Sequence, residues 1–122
     1  MRLIGLSLLL IFSISCKSQG DIPKDVNADK FETAINNDKA IQVLDVRTDA
    51  ELTGPLPKIK GAVHIPVQEI ENRVDELEKY KDKEIVVVCR TQNRSSRAVE
   101  FLRSKGYDAK YVNGGMQEFY KK

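Results

Sequence analysis

The stretch that decides the fold is Lys83-Glu84-Ile85-Val86-Val87-Val88-Cys89, with Arg90-Thr91-Gln92-Asn93-Arg94-Ser95 behind it. Ile85 to Val88 are four apolar residues in succession, three of them Val. A half-exposed strand alternates apolar and polar residues, so this run predicts a strand covered on both faces, as in a parallel sheet packed between helices. Arg90 to Arg94 is polar and reads as a loop. Ser95 to Lys105 then reads as a helix, with Ala98, Val99, Phe101 and Leu102 on its inner face and Gly106 as its C-terminal cap.

Working outward, the same alternation recurs on both sides. Towards the amino end, Asn27 caps a predicted helix over Ala28–Asn36, with Ala28, Phe31, Ala34 and Ile35 on one face. Ile41–Val46 follows as an apolar strand. Thr48–Leu52 is a short helical turn, with Glu51 three residues after Thr48 at capping-box spacing. Gly54–Gly61 holds two prolines and reads as loop, and Ala62–Ile65 is a strand stopped by Pro66. Val67, Ile70, Val74 and Leu77 step by three and four, which predicts an amphipathic helix over Gln68–Tyr80. Beyond Gly106, Ala109–Val112 is a strand, Asn113-Gly114-Gly115 a turn, and Met116–Tyr120 a last short helix. Strands alternating with helices give an α/β domain with a mostly parallel sheet, in which sites form at the carboxyl ends of strands beside helix N-termini.

Cys89 sits at that position on the strongest strand. A strand-end Cys can be a mere core residue. The residues after it argue for chemistry. Backbone N–H groups in a strand-to-helix loop can converge on an anion, the following helix adds its positive dipole end, and Arg90 and Arg94 add cationic charge. Each of these favours thiolate over thiol, and thiolate is the nucleophile.

The amino end is of a different kind. Met1-Arg2 carries a positive charge, Leu3–Ile14 is uncharged and largely apolar, and small Ser15 precedes Cys16. This is the pattern of a signal peptide over 1–15. Its twelve-residue apolar run would span roughly 18 Å as a helix, short of the ~30 Å hydrocarbon core. Cys16 after a small residue resembles the lipobox of bacterial lipoproteins, which are cut before that Cys and acylated on it. Residues 16–25 then read as a tether and 26–122 as the domain. With Cys16 acylated, Cys89 is left as a lone thiol in an exported protein, the setting being the bacterial periplasm or cell surface.

Composition narrows the function. Lys plus Arg total 20 against 18 Asp plus Glu, for a net charge of +2, which excludes the basic excess of a nucleic-acid binder. One His and two Cys cannot assemble a His/Cys zinc site without carboxylates.

Taken in order, Leu44-Asp45-Val46-Arg47 with Glu51-Leu52, Gly61-Ala62-Val63-His64-Ile65-Pro66, Ile85–Arg90, Arg94-Ser95-Ser96-Arg97-Ala98 and Val112–Phe119 resemble a single-domain rhodanese, a sulfurtransferase homology domain. The resemblance implies a central, mostly parallel five-stranded sheet flanked by helices. It also implies a Cys89 that accepts sulfane sulfur as a persulfide, and a substrate-binding loop of Arg90, Thr91, Gln92, Asn93 and Arg94. Asp45 and Arg47 would then support the active loop. A small anionic donor such as thiosulfate and an acceptor thiol or cyanide are the implied partners. No metal or organic cofactor is implied, the membrane enters only through the lipid anchor, and the expected state is a monomer.

Three positions depart from the family pattern. Gln92 stands where Gly is frequent, which leaves two expectations: a strained positive φ, or a negative φ with the amide turned to the substrate. The Gly54–Gly61 loop is longer and lacks the frequent His, leaving His64 on the strand side, and Phe119 replaces a common Trp. Two rival functions are considered. A Cys-x5-Arg phosphatase needs Arg six residues after Cys, where this chain has Ser95, with Arg94 at five. The second is a non-enzymatic binding module, which in this family usually lacks the Cys that this chain keeps, or a persulfide carrier, which would keep it without turnover.

Overall fold

The structure is a computed structural model and describes residues 22–37 and 40–121. The expected signal peptide over 1–15 and the expected acylation site, Cys16, lie outside the described residues. Among the described residues five strands form one sheet: β1 (Asp25–Val26), β2 (Ile41–Asp45), β3 (Val63–His64), β4 (Glu84–Val88) and β5 (Ala109–Val112), in the order β1-β5-β4-β2-β3. Every pairing is parallel. The helices are α1 (Ala28–Asn37), α2 (Asp49–Leu52), α3 (Ile70–Arg73), α4 (Asn93–Ser104) and α5 (Gly115–Phe119).

β4 is the middle strand, and its apolar run is explained by the pleat. Successive side chains point to opposite faces. Ile85, Val87 and Cys89 join Leu44, Leu77, Ala98, Val99 and Leu102 in one core layer under α4. Val86 and Val88 join Phe31, Val43 and Met116 in the other, under α1 and α5. Register is fixed by Val43 opposite Val86 and Leu44 opposite Val87 on one side, and by Ile85 opposite Ala109 on the other. A one-residue slip would exchange the two layers, so burial on both faces pins the register.

Asn27 caps α1 as expected, its Oδ1 accepting from Lys30 N–H at 2.8 Å. Thr48 and Glu51 form the anticipated capping box on α2. Three elements differ from the reading of the sequence. The Gln68–Tyr80 helix is a composite: 3-10 turns over Val67–Glu69 and Val74–Tyr80 flank α3. Val74, Leu77 and Tyr80 step strictly by three, which is the period of a 3-10 helix, where side chains three apart eclipse on one face. Leu77 is buried and Val74 and Tyr80 pack against the same core. Second, β1 straddles the expected boundary between tether and domain, at residues 25 and 26. Its two residues pair with Tyr111 and Val112, and Tyr111 N–H donates to Lys24 O while Arg103 holds Ile22 O and Pro23 O at 3.1 and 3.0 Å. Third, α4 starts at Asn93, two residues earlier than expected. Asn93 and Arg94 therefore belong to a helical turn, and the loop after β4 is shorter.

Candidate active site

The site is assembled where β4 ends and α4 begins. Cys89 is 1% exposed. Its sulfur receives the Ser95 backbone N–H at 3.4 Å, and its thiol donates to Ser95 Oγ at 3.3 Å. Gln92 is the N-cap residue of α4, so Ser95 is the third residue of the helix and its N–H is one of those left without an intrahelical acceptor. The sulfur occupies the place of a capping oxygen, at the positive end of a 12-residue helix. Ser95 Oγ in turn donates to Gln92 O at 3.2 Å, so the hydroxyl couples the sulfur to the loop backbone.

The floor beneath the loop is the Asn113-Gly114-Gly115 turn. Met116 N–H donates to Cys89 O and Gln117 N–H to Arg90 O, both at 2.9 Å. The start of α5 thus holds the backbone of the nucleophile from below. Gly115, at φ +61, is so close that a Cβ on it would lie 1.9 Å from Thr91 O and 2.6 Å from Cys89 O. Only glycine fits there on both counts.

A side wall comes from β2 and α2. Arg47 and Asp45 are buried at 1% and 0% exposure and paired through both carboxylate oxygens, with Arg47 Nη2 to Asp45 Oδ2 at 2.7 Å. Arg47 Nη1 also donates to Leu56 O at 2.6 Å, and His64 Nε2 lies 2.7 Å from Arg47 O. Glu51 reaches from α2 to Arg94 in a two-pronged ion pair, 2.5 and 2.8 Å. That pairing, assisted by hydrogen bonds from Thr48 and opposed by partial burial, lowers the Glu51 carboxyl from its ordinary 4.5 to about 2. A cleft of about 310 Å³ opens beside the loop between Ala50, Glu51, Pro55, Leu56 and Arg90. Among the described residues no group of three His, Cys, Asp or Glu side chains could hold a metal ion.

The chain matches the rhodanese-like domain over residues 27–122. It belongs to the rhodanese family. Among its relatives, the Bacillus subtilis protein named "Putative sulfurtransferase YtwF" is 33% identical over 94 residues, 76% of this chain and 86% of that one. The Bacillus subtilis "Putative sulfur carrier protein YrkF" is 30% identical over 76% of this chain, which spans about half (48%) of that longer protein. A rhodanese-related protein of Thermoplasma volcanium superposes with a TM-score of 0.70 at 36% identity, covering 79% of this chain and 89% of its own.

Within this rhodanese domain the residues singled out in the sequence are brought to one end of the sheet, but they do different things. Arg90, Thr91, Gln92 and Asn93 are exposed around the rim. Gln92 has φ −150°, so the strained positive φ is ruled out and the backbone is that of the second expectation. Its side-chain oxygen accepts Gly114 N–H at 3.0 Å and ties the loop to the glycine turn. Arg94 is turned to Glu51, an acidic partner 43 residues away. Asp45 and Arg47 support the neighbouring Leu56 loop through Leu56 O and make no hydrogen bond to residues 90–94. The sequence reading missed Ser95 and Gly115 as site residues. Cys89-x5-Ser95 ahead of a helix, and a double glycine after a strand, were the available signals.

Proposed function

We propose that this domain is a sulfurtransferase that carries sulfane sulfur as a Cys89 persulfide. The observation that supports the reading best is the setting of Cys89 in a rhodanese domain: a buried sulfur in the capping position of α4, with Ser95 N–H aimed at it. A backbone N–H and a helix amino end aimed at the sulfur would stabilise a persulfide anion formed there. In the first step the Cys89 thiolate attacks the outer sulfur of thiosulfate. The new S–S bond forms as the outer S–S bond of thiosulfate breaks, and sulfite leaves with the electron pair. In the second, an acceptor thiolate or cyanide attacks the terminal sulfur and the Cys89 thiolate leaves. No net electron transfer from outside is required. Arg90, on the rim, is suited to meet the incoming anion. The Cys16 lipobox adds the proposal that the domain is held at a bacterial envelope membrane. There, Cys16→Ala should release it from washed membranes.

The test is intact mass after incubation with thiosulfate, with and without Cys89→Ser. The parent chain should gain one sulfur atom that cyanide removes as thiocyanate, and the variant should gain none, since a hydroxyl is not ionised near neutral pH. Loading of the Cys89→Ser chain would refute the assignment. Loading without steady-state thiocyanate formation would identify a carrier instead of a turnover enzyme.

A further inference from the structure

Three arginines stand around the Cys89 loop, and two are already neutralised. Arg47 is committed to Asp45 and Leu56 O. Arg94 is committed to both oxygens of Glu51. Glu51 is itself fixed, because Oε1 also accepts Thr48 N–H at 3.1 Å in the α2 capping box. Turning Arg94 towards an incoming anion would break two charge-assisted hydrogen bonds and strand a partly buried carboxylate. Arg90 alone of the three makes no ion pair among the described residues, and it is exposed. Against the Cys89 thiolate, Arg90 brings the local sum of formal charge to zero. A dianion such as thiosulfate would meet no net formal positive charge from these side chains, only the partial charge of the α4 amino end. The cleft beside the loop, lined by Ala50, Pro55 and Leu56 with Arg90 and Glu51 at its polar side, has room for an organic group.

We infer that Glu51 is a specificity-determining residue: by holding Arg94 it biases the site against dianionic donors and towards singly charged sulfane donors whose apolar group enters the Ala50–Pro55–Leu56 cleft. The inference rests on the sulfur-transfer reading of Cys89. Benzenethiosulfonate is the matched probe, since it replaces one anionic oxygen of thiosulfate by a phenyl ring. With it, the thiolate takes the terminal sulfur and benzenesulfinate leaves with the electron pair, again in balance.

The experiment compares kcat/KM for thiosulfate and benzenethiosulfonate, with cyanide as acceptor, in the parent chain, E51Q and E51Q/R94Q. Removing one negative charge acts on a donor difference of one charge, so E51Q should raise the thiosulfate-to-benzenethiosulfonate ratio about five-fold at low salt. The double variant is charge-balanced like the parent and should return to the parent ratio. In the parent chain, kcat/KM for thiosulfate should be nearly flat with ionic strength, a measurement that needs no variant to fold. An unchanged ratio in E51Q, a double variant that keeps the E51Q ratio, or a steep fall of thiosulfate kcat/KM with salt would each overturn the inference. If neither donor loads Cys89 at all, it is the sulfur-transfer reading that has failed.

Discussion

Gly115→Ala is the sharpest single perturbation of the site, although Gly115 carries no chemistry. The new Cβ would lie 1.9 Å from Thr91 O and 2.6 Å from Cys89 O, both backbone atoms that no side-chain rotation can move. The left-handed backbone at φ +61 adds about 1–2 kcal/mol for any L-residue. Forced repacking in a tight contact typically adds 1–3 kcal/mol. Relief requires α5 to back away, which weakens Met116 N–H to Cys89 O and Gln117 N–H to Arg90 O. The total comes to about 3–5 kcal/mol, a large part of the roughly 5–15 kcal/mol that holds a domain together. For a domain of this size that is a fall in Tm of about 15–30 °C. The control is Gly106→Ala, where φ is +87 and a Cβ would meet nothing within 4 Å. It isolates the backbone cost, about 1–2 kcal/mol. Thermal melts of both variants, with sulfur loading of Cys89 measured well below either Tm, separate the terms. Gly106→Ala should load at the parent rate, and Gly115→Ala about ten-fold slower because the Cys89 carbonyl has lost its tie. A Gly115→Ala chain no less stable than Gly106→Ala, loading at the parent rate, would refute the claim that the turn sets the loop.

Three further outcomes follow from the same geometry. Once Cys89 ionises it can no longer donate, and the Ser95 hydroxyl has to turn from Gln92 O to donate to the sulfur; Ser95→Ala removes that donor but keeps the backbone N–H, so loading should slow about ten-fold, the worth of one hydrogen bond to a charged group, with Tm within a few degrees. Gln92→Gly relieves no strain at φ −150° and loses the partner of Gly114 N–H, so differential scanning calorimetry should show destabilisation by about 1–2 kcal/mol. Glu51 has a folded pKa near 2 against an ordinary 4.5, so its pairing contributes stability in full above pH 4.5 and loses it as pH falls towards 2. Urea midpoints between pH 6 and 2.5 should therefore fall more steeply for the parent chain than for Glu51→Gln.

The fold was legible because its strongest signal is redundant. Ile85–Val88 can be buried on both faces only in the middle of a covered parallel sheet, and the helix signals on either side leave one way to cover it. Where the sequence misled, the local signal was thin or ambiguous. Asp25-Val26 is two residues long and carries no period, and its place in the sheet is set by Tyr111 and Val112, far along the chain. Val67, Ile70, Val74 and Leu77 satisfy a 3.6 period about as well as a 3.0 one, and packing of Val74, Leu77 and Tyr80 on one core layer selects the tighter turn. Asn93 and Arg94 look like loop residues because Asn and Arg near a Cys suggest a cradle, but Gln92 O accepts Ser96 N–H at 2.8 Å and the helix begins there.

The site was legible only as far as its chemistry is local. Cys89 at the end of the best strand and Ser95 six residues on share one strand-loop-helix unit, so their meeting follows from connectivity alone. Arg94 is local to the same unit, and counting it as a free cation is the natural reading of the segment by itself. What cancels it is Glu51, recruited from a different strand-to-helix unit, where the capping box with Thr48 already supplies a sufficient local reason for a Glu. One carboxylate therefore caps a helix within its own unit and sets the charge of a loop in the next. A residue with a complete local explanation conceals its second role, and formal charges counted along a loop overstate the field that a substrate meets. The parallel sheet makes the overlap possible. The β2–α2 and β4–α4 units end side by side, with Val46 N–H donating to Val88 O at 3.0 Å, so the charges of one turn fall within reach of the other. In such a sheet, the charge of an active loop is decided by two turns, read together.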